Sequence, residues 1–293
     1  MTLAVLDAIE HAFQRLPFEW AHQQFMVYAL LECTLLAPVC AAMGVKVVNF
    51  RMAFFSDAIS HSAFAGVAIG FLLNELFARY GGQFDPRISL IVFGLIVGLG
   101  VVLVRRRTQL SNDTIIGVFF SGVVALGIAI VTSSGSRTTD FQSYLYGDIL
   151  TLDAADLALT AILTAIVLLF MLIGFNSLLL LGLNAELAHS RGVRVRMYEY
   201  LFAMLLALVI TISIRTAGIL LVTALLIVPA AAARNVARDA GGMLRWAVVL
   251  GLTSGLSGTL ASYSSFLHNM STGAAIVLAA SILFGLSFLA RRA

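Results

Sequence analysis

The sequence predicts an all-α protein that crosses a membrane about nine times. Hydrophobic residues make up 60% of the 293 residues and charged residues only 11%, and the mean hydropathy is +1.00. Apolar runs long enough to cross ~30 Å of hydrocarbon recur along the whole chain, and basic clusters follow alternate runs. A soluble domain would need a charged surface, so the outer surface of this protein must face lipid.

Each apolar run has the length and composition of a transmembrane helix. The runs occupy residues 24–45, 58–78, 87–104, 114–133, 156–180, 198–215, 217–233, 243–265 and 272–290. The join between the sixth and seventh runs is tight, and residues 134–155 are predicted as either a short outer helix or a re-entrant piece. Residues 1–23 are predicted to lie at the membrane interface as an amphipathic segment. The sequence thus predicts one membrane domain over residues 1–293.

The basic residues predict the orientation. Five clusters follow alternate runs: Lys46 with Arg51, Arg105 to Arg107, Arg191 with Arg194 and Arg196, Arg234 with Arg238 and Arg245, and Arg291 with Arg292. Because positive residues concentrate in cytoplasmic loops, the N-terminus is predicted outside and the C-terminus in the cytoplasm. The net charge of +3 therefore indicates topology and not nucleic-acid binding.

The two cysteines predict no disulfide framework. Cys33 and Cys40 lie seven residues apart in one apolar run, about two helical turns, which is too far to bridge. We expect them to be small buried side chains.

Asp57 and His61 are the first candidate site. Four residues apart on a helix, they point to one face. Ionisable residues inside a membrane usually line a pathway or bind something, and a carboxylate with an imidazole is a partial ligand set for a divalent transition metal. In the alternative interpretation, Asp57 is the N-cap of a helix beginning at Ala58 and His61 bonds to a carbonyl. The spacing alone leaves both open.

Absent motifs narrow the function. The chain has no phosphate-binding loop, no His-Glu-x-x-His and no nucleophile elbow, so it contains no recognisable ATPase, protease or lipase site. A transport pore energised by another polypeptide fits best. The alternative is a proton-coupled secondary metal transporter that uses Asp57 and His61 as both ligand and proton site.

Four segments, in order along the chain, resemble the metal-ion ABC permease family, whose members import zinc, manganese and iron. They are Gly44-x-x-Val47-Val48-x-x-Arg51-Met52-Ala53-Phe54, Tyr144-Leu145-Tyr146-Gly147-Asp148-Ile149-Leu150, Glu186-Leu187-Ala188-x-x-x-Gly192, and the segment from Gly218 through Pro229 to Arg234. The resemblance covers about residues 24–290.

The resemblance implies a permease like those of type II ABC importers, in a bacterial inner membrane, with no ATPase site of its own. It implies a homodimer, sometimes a heterodimer, with cytoplasmic ATP-binding subunits and an extracytoplasmic metal-binding protein. Asp57 and His61 would contact the transported ion, zinc or manganese before iron, and Ser60 would support them by hydrogen bonding. No permanently bound cofactor is expected.

The resemblance also marks residues 184–197 as the region that couples to the ATPase. Glu186, Ala188 and Gly192 would form a short docking helix that Gly192 ends. The alternative is a solvated loop in which Glu186 pairs with Arg191 or Arg194.

Other polar or special residues stay open between two interpretations. Pro229 is either a hinge or a packed kink. Glu32 either lines an outer vestibule or bonds to a neighbouring group such as Thr34. His268 and Asn269 either dock an outer partner or are solvated, and the outer acids Asp140 and Asp148 either attract cations or, for Asp148, cap a helix.

Overall fold

A computed structural model of the chain describes residues 17, 19–134, 152–263 and 270–290, which contain no β-strand. After a short 3-10 helix at Glu19–His22, these ranges form nine α-helices. They are α1 (Gln24–Asn49), α2 (Ala53–Ala78), α3 (Pro86–Arg107), α4 (Asn112–Ser134), α5 (Ala154–Leu183), α6 (Ala185–Ser190), α7 (Val195–Val236), α8 (Ala240–Tyr263) and α9 (Thr272–Ala290).

The predicted all-helical, multi-pass architecture is confirmed, with a span count close to nine. Eight helical segments in the described ranges are long and apolar enough to cross a membrane, with the two halves of α7 counted separately. The remaining predicted run, 243–265, is the 24-residue helix α8. Its many glycines, serines and threonines lower its mean hydropathy, so α8 is not among those eight segments.

Large apolar side chains on these helices remain exposed. Leu172 is 79% exposed, Val118 66% and Ile96 60%. Such surfaces are stable in hydrocarbon and would promote aggregation in water, which agrees with a chain whose outside faces lipid.

The break between α1 and α2 is shorter than expected. The first predicted run ends at residue 45 and the second begins at residue 58, whereas only Phe50, Arg51 and Met52 lie outside the two helices. Arg51 adopts a positive φ of 54°, a left-handed conformation that non-glycine residues seldom adopt. A three-residue turn therefore leads directly into α2.

The tight join between the sixth and seventh runs is a kink inside α7. Gly218 has φ 77° and ψ 162°, and the residues on both sides are helical. Without a Cβ, glycine reaches this backbone geometry with little strain. One 42-residue helix therefore supplies two membrane-spanning segments.

The chain divides into two compact units, and the predicted single domain over residues 1–293 stays a prediction. The first unit consists of residues 1–45, 148–172 and 216–293. Within it, Gly44 lies so close to α7 that an added Cβ would stand 1.7 Å from the carbonyl oxygen of Leu226. Cys33 and Cys40 are buried free thiols, as predicted.

The second unit consists of residues 46–147 and 173–215. Within it, α2 packs against α3 and α4. Gly66 and Gly70 allow the close approach, since a Cβ on Gly66 would lie 3.0 Å from Leu90 Cα and one on Gly70 would lie 2.7 Å from Pro86 Cα. This packing fixes α2, the helix that carries the candidate metal residues.

Candidate functional site

Asp57 and His61 lie in the second and third turns of α2. Both side chains are partly exposed, and their separation of four residues puts them on one face of the helix. They are near enough to attract each other electrostatically. The alternative in which Asp57 is an N-cap is wrong, because α2 begins at Ala53 and its N-cap is Met52.

The His61 ring is held by an aromatic contact and not by a carbonyl. It meets the ring of Phe120 on α4 edge to face, with 5.0 Å between centroids and 78° between planes. No hydrogen bond to the imidazole is present among the described residues. Its nitrogens are therefore available to a ligand, while Phe120 limits rotation of the ring.

Ser60 is fully buried, and its hydroxyl has no hydrogen-bond partner in the described part of the chain. The neighbouring serines differ: Ser56 Oγ donates to the carbonyl of Ala53 at 2.8 Å and Ser62 Oγ to that of Ile59 at 2.6 Å. A buried hydroxyl without a partner is uncommon, so Ser60 can bond to a group that binds beside it.

Asp57 and His61 do not form a complete metal site by themselves. Across residues 19–134, 152–263 and 270–290, no three His, Cys, Asp or Glu side chains are grouped so that they could hold an ion. A structural zinc site needs four ligands. This arrangement can contact a passing ion, but it lacks the ligands to trap one.

The short helix expected between the fifth and sixth runs is α6. Asn184 caps it, since its Oδ1 accepts hydrogen bonds from the backbone N–H groups of Glu186 and Leu187. At the other end Gly192 adopts φ 78°, and the Val193 N–H donates to the carbonyl of Ala188 at 3.0 Å, as in a glycine C-terminal cap.

Glu186 is exposed at the start of α6, and Ala188 is fully buried. The expected alternative of an ion pair with Arg191 or Arg194 is not found for Glu186 in the described ranges. Leu187 is 45% exposed beside it. The helix thus presents an acid and an apolar side chain outward while Ala188 holds it to the body.

Pro229 lies within the regular second half of α7. The non-helical backbone in this helix occurs at Gly218, eleven residues earlier. The sharper bend is therefore at Gly218, and a hinge role for Pro229 stays a prediction.

Glu32 forms hydrogen bonds with residues other than the expected neighbour Thr34. Its Oε1 accepts hydrogen bonds from Thr160 and Thr216, both at 3.0 Å, and its side chain is fully buried. Thr34 donates instead to the carbonyl of Leu31. Glu32 is hydrogen-bonded, as the second interpretation expected, but the expected neighbour Thr34 is not a partner: the two threonines lie 128 and 184 residues away.

Lys46 and the arginines at the end of α3, which the sequence analysis used only to predict orientation, also make specific contacts. Glu199 on α7 pairs with both Arg105 and Arg106 at the end of α3. Lys46 is 1% exposed, and its Nζ donates to the carbonyl of Phe175 at 3.3 Å and lies 4.1 Å from the centre of that ring. The sequence held one signal for the contact of Glu199: this acid lies at the start of the sixth apolar run, and three consecutive arginines, Arg105 to Arg107, follow the third run.

Some candidate residues lie outside the described ranges. They are the segment from Tyr144 to Leu150, Asp140, and the loop residues His268 and Asn269.

Two known membrane proteins are similar in sequence to this chain over 90% of its length. The chain is 34% identical to the high-affinity zinc uptake system membrane protein ZnuB of Haemophilus influenzae, over 90% of this chain and 96% of that protein. It is 32% identical to the manganese transport system membrane protein MntC of Listeria innocua, over 90% of each chain.

A solved structure has the same fold. A chain of PsaBC from Streptococcus pneumoniae, determined in complex with Fab, matches with a TM-score of 0.74 and 30% identity, covering 98% of this chain and 95% of that one. The family model named ABC 3 transport family matches residues 22–291. Because this match covers nearly the whole chain, the protein belongs to the ABC 3 transport family.

Proposed function

We propose that this chain is the permease subunit of an ATP-driven importer for divalent transition-metal ions, zinc or manganese before iron. The observation that carries the proposal is that Asp57 and His61 lie on one face of α2, beside the Ser60 hydroxyl, which has no hydrogen-bond partner among the described residues. The relatives support the substrate class, since one is named for zinc uptake and another for manganese transport.

Two copies of the chain would complete the site. Each copy supplies one carboxylate and one imidazole, so a homodimer brings two of each to the ion, and a heterodimer would bring an equivalent set. Four nitrogen and oxygen ligands suit zinc, while carboxylates also suit manganese. A site divided between two subunits releases its ion when the subunits move apart, and transport requires that release.

The ATPase would act through α6. Cytoplasmic ATP-binding subunits would dock on Glu186 and the exposed Leu187, and Ala188 would transmit the movement because it is packed into the body of the chain. An extracytoplasmic metal-binding protein would deliver the ion. In this orientation the N-terminus lies outside and the C-terminus in the cytoplasm of a bacterial inner membrane, and α7 would bend at Gly218 or Pro229.

Metal uptake by His61→Ala and Asp57→Ala tests the site. Zinc, manganese and iron are measured together in cells that express the complete transporter. We expect uptake of the transported metal to fall by about tenfold or more, and the metal that falls identifies the substrate. The matched control is His22→Ala, which removes an exposed imidazole and should leave uptake unchanged. Wild-type uptake by His61→Ala would exclude the proposed ligand.

The energy source is tested in proteoliposomes containing the complete transporter. We expect uptake with ATP and no pH gradient, and no uptake with a pH gradient and no ATP. The opposite result would assign the chain to proton-coupled transport.

A further inference from the structure

A cleft of about 340 Å³ lies at one end of the second unit. Its walls come from places where helices end or begin: Asn49 at the end of α1, Leu183 at the end of α5 and Ala185 at the start of α6. Arg51, Arg105 and Glu199 also line it. The Asp57–His61 pair is not part of this lining, so the cleft is a separate feature.

The charge of the cleft is positive. Glu199 supplies one negative charge, which Arg105 and Arg106 share through their ion pairs. Arg51 is exposed, and no acidic side chain in the described part of the chain pairs with it. Among the lining residues, two arginines against one glutamate leave an excess of one positive charge, and Arg51 is the arginine available for an anion.

The backbone holds Arg51 at this position. Its φ of 54° is unusual for a residue with a side chain, and such strain persists only where the surroundings determine it. Met52 donates its N–H to the carbonyl of Val47 at 3.0 Å, and the Asn112 side chain donates to the carbonyl of Phe50 at 3.5 Å. The guanidinium is therefore carried by a fixed turn and not by a loose loop.

The level of the cleft in the membrane indicates which kind of anion it binds. Transmembrane helices end at the level of the lipid headgroups, and α1, α3 and α5 all end around this cleft. Phe50, Leu181 and Leu183 add apolar wall, and Leu183 is 74% exposed. An arginine beside apolar side chains at the level of the headgroups suits a lipid, whose phosphate is attached to acyl chains.

We propose that this cleft binds the phosphate of an anionic phospholipid headgroup, with Arg51 as its principal contact and Arg105 as the second. Basic pockets between transmembrane helices bind such headgroups in general. A bound headgroup would brace the three-residue turn from which α2 starts, so lipid composition would influence the helix that carries Asp57 and His61.

Binding is measured by native mass spectrometry of the purified full-length chain in non-ionic detergent, titrated with phosphatidylglycerol, phosphatidylcholine or inorganic phosphate. We expect phosphatidylglycerol to bind more tightly than phosphatidylcholine, and Arg51→Gln to weaken it by about fivefold. The matched control is Arg107→Gln, which removes an exposed charge at the end of α3 outside the cleft and should leave the affinity unchanged.

A second variant keeps every charge. Ala185→Phe fills the cleft and should also weaken phosphatidylglycerol binding, and it tests the site independently if Arg51→Gln does not fold. Equal weakening by Arg51→Gln and Arg107→Gln would overturn the proposal, because it indicates general attraction to a basic surface. Displacement of the lipid by inorganic phosphate at equal concentration would overturn it in favour of a small-anion site.

The cytoplasmic ATPase is the rival occupant. If Arg51→Gln keeps its lipid affinity and loses the ATP-binding subunit in co-purification, the cleft belongs to that subunit and the lipid proposal is wrong. None of these measurements depends on metal transport, so a failed lipid site leaves the proposed function untouched.

Discussion

The hydroxyl of Thr216 donates a hydrogen bond to Glu32 Oε1 at 3.0 Å, two residues before α7 leaves helical geometry at Gly218. The same oxygen also accepts from Thr160 on α5. One buried carboxyl group therefore connects α1, α5 and the kinked part of α7 within the first unit. Hydrogen bonds that join membrane helices in this way contribute about 0.6 to 2 kcal/mol each.

Thr216→Val should lower the unfolding free energy by about 0.6 to 2 kcal/mol, because the valine keeps the shape and loses the donor. Thermal unfolding of the purified chain in detergent measures the effect. Thr34→Val is the control, since Thr34 is exposed and its hydroxyl donates to the carbonyl of Leu31 in its own helix. Equal stability of the two variants would mean that the Glu32–Thr216 bond contributes nothing.

Glu32→Gln and Glu32→Ala separate hydrogen bonding from charge. Glutamine keeps an acceptor oxygen for both threonines, so we expect stability close to wild type. Alanine leaves two hydroxyls without this partner and a cavity, and it should cost about 2 to 4 kcal/mol. If glutamine is as unstable as alanine in the same melting assay, the ionised carboxylate is the required group.

The helices were predictable from the sequence because apolar composition and length set each span locally. Seven of the predicted runs begin within three residues of an observed helix start, as at Gln24 and Pro86. The connection before α2 was predicted too long because Arg51 adopts a left-handed conformation, which allows a turn of only three residues. No local pattern predicts an arginine at φ 54°.

The polar contacts were less predictable because they depend on which helices become neighbours. Thr34 was the nearest threonine to Glu32 in sequence, but the partners came from α5 and α7. The position of Asp57 and His61 on one face of α2 was predictable, since helical geometry alone puts residues four apart on one face. The role of Phe120 beside His61 required the packing of α2 on α4.

Ser60→Ala should separate transport from stability. The Ser60 hydroxyl is buried without a partner in the described ranges, so its removal should leave the unfolding free energy unchanged or raise it by up to about 1 kcal/mol. Metal uptake at limiting concentration should fall severalfold if the hydroxyl supports the ligands, as groups that orient metal ligands do. Uptake is measured with radioactive or fluorescent metal.

Ser62→Ala is the matched comparison for Ser60→Ala. Its hydroxyl already donates to the carbonyl of Ile59 at 2.6 Å, so its loss should change uptake little. If both variants transport like wild type, Ser60 has no role beside Asp57 and His61.

Glu199→Gln and Glu186→Gln should affect different measurements. Glu199 has a side chain that is 12% exposed and pairs with Arg105 and Arg106, so glutamine should destabilise the chain by about 1 to 3 kcal/mol. Glu186 is exposed and has no ion pair in the described ranges. Its variant should melt like wild type and show weaker stimulation of the ATPase by metal. Loss of stability in Glu186→Gln would contradict its assignment as a docking residue.

Gly44→Ala should be among the most damaging single-methyl changes in the first unit. A Cβ on Gly44 would stand 1.7 Å from the carbonyl oxygen of Leu226 and 3.3 Å from the Cβ of Ala230, and the first of these neighbours is rigid helix backbone. Two helices must move apart to admit the methyl group, so we expect a loss of about 1 to 3 kcal/mol or more. Gly117→Ala adds the same methyl group where no described atom beyond its own stretch of helix lies within 4 Å, and it should be neutral or slightly stabilising because alanine favours the helix. The difference in melting temperature between the two variants in one detergent measures the effect. Equal melting temperatures would show that α1 and the second half of α7 are not in close contact at Gly44.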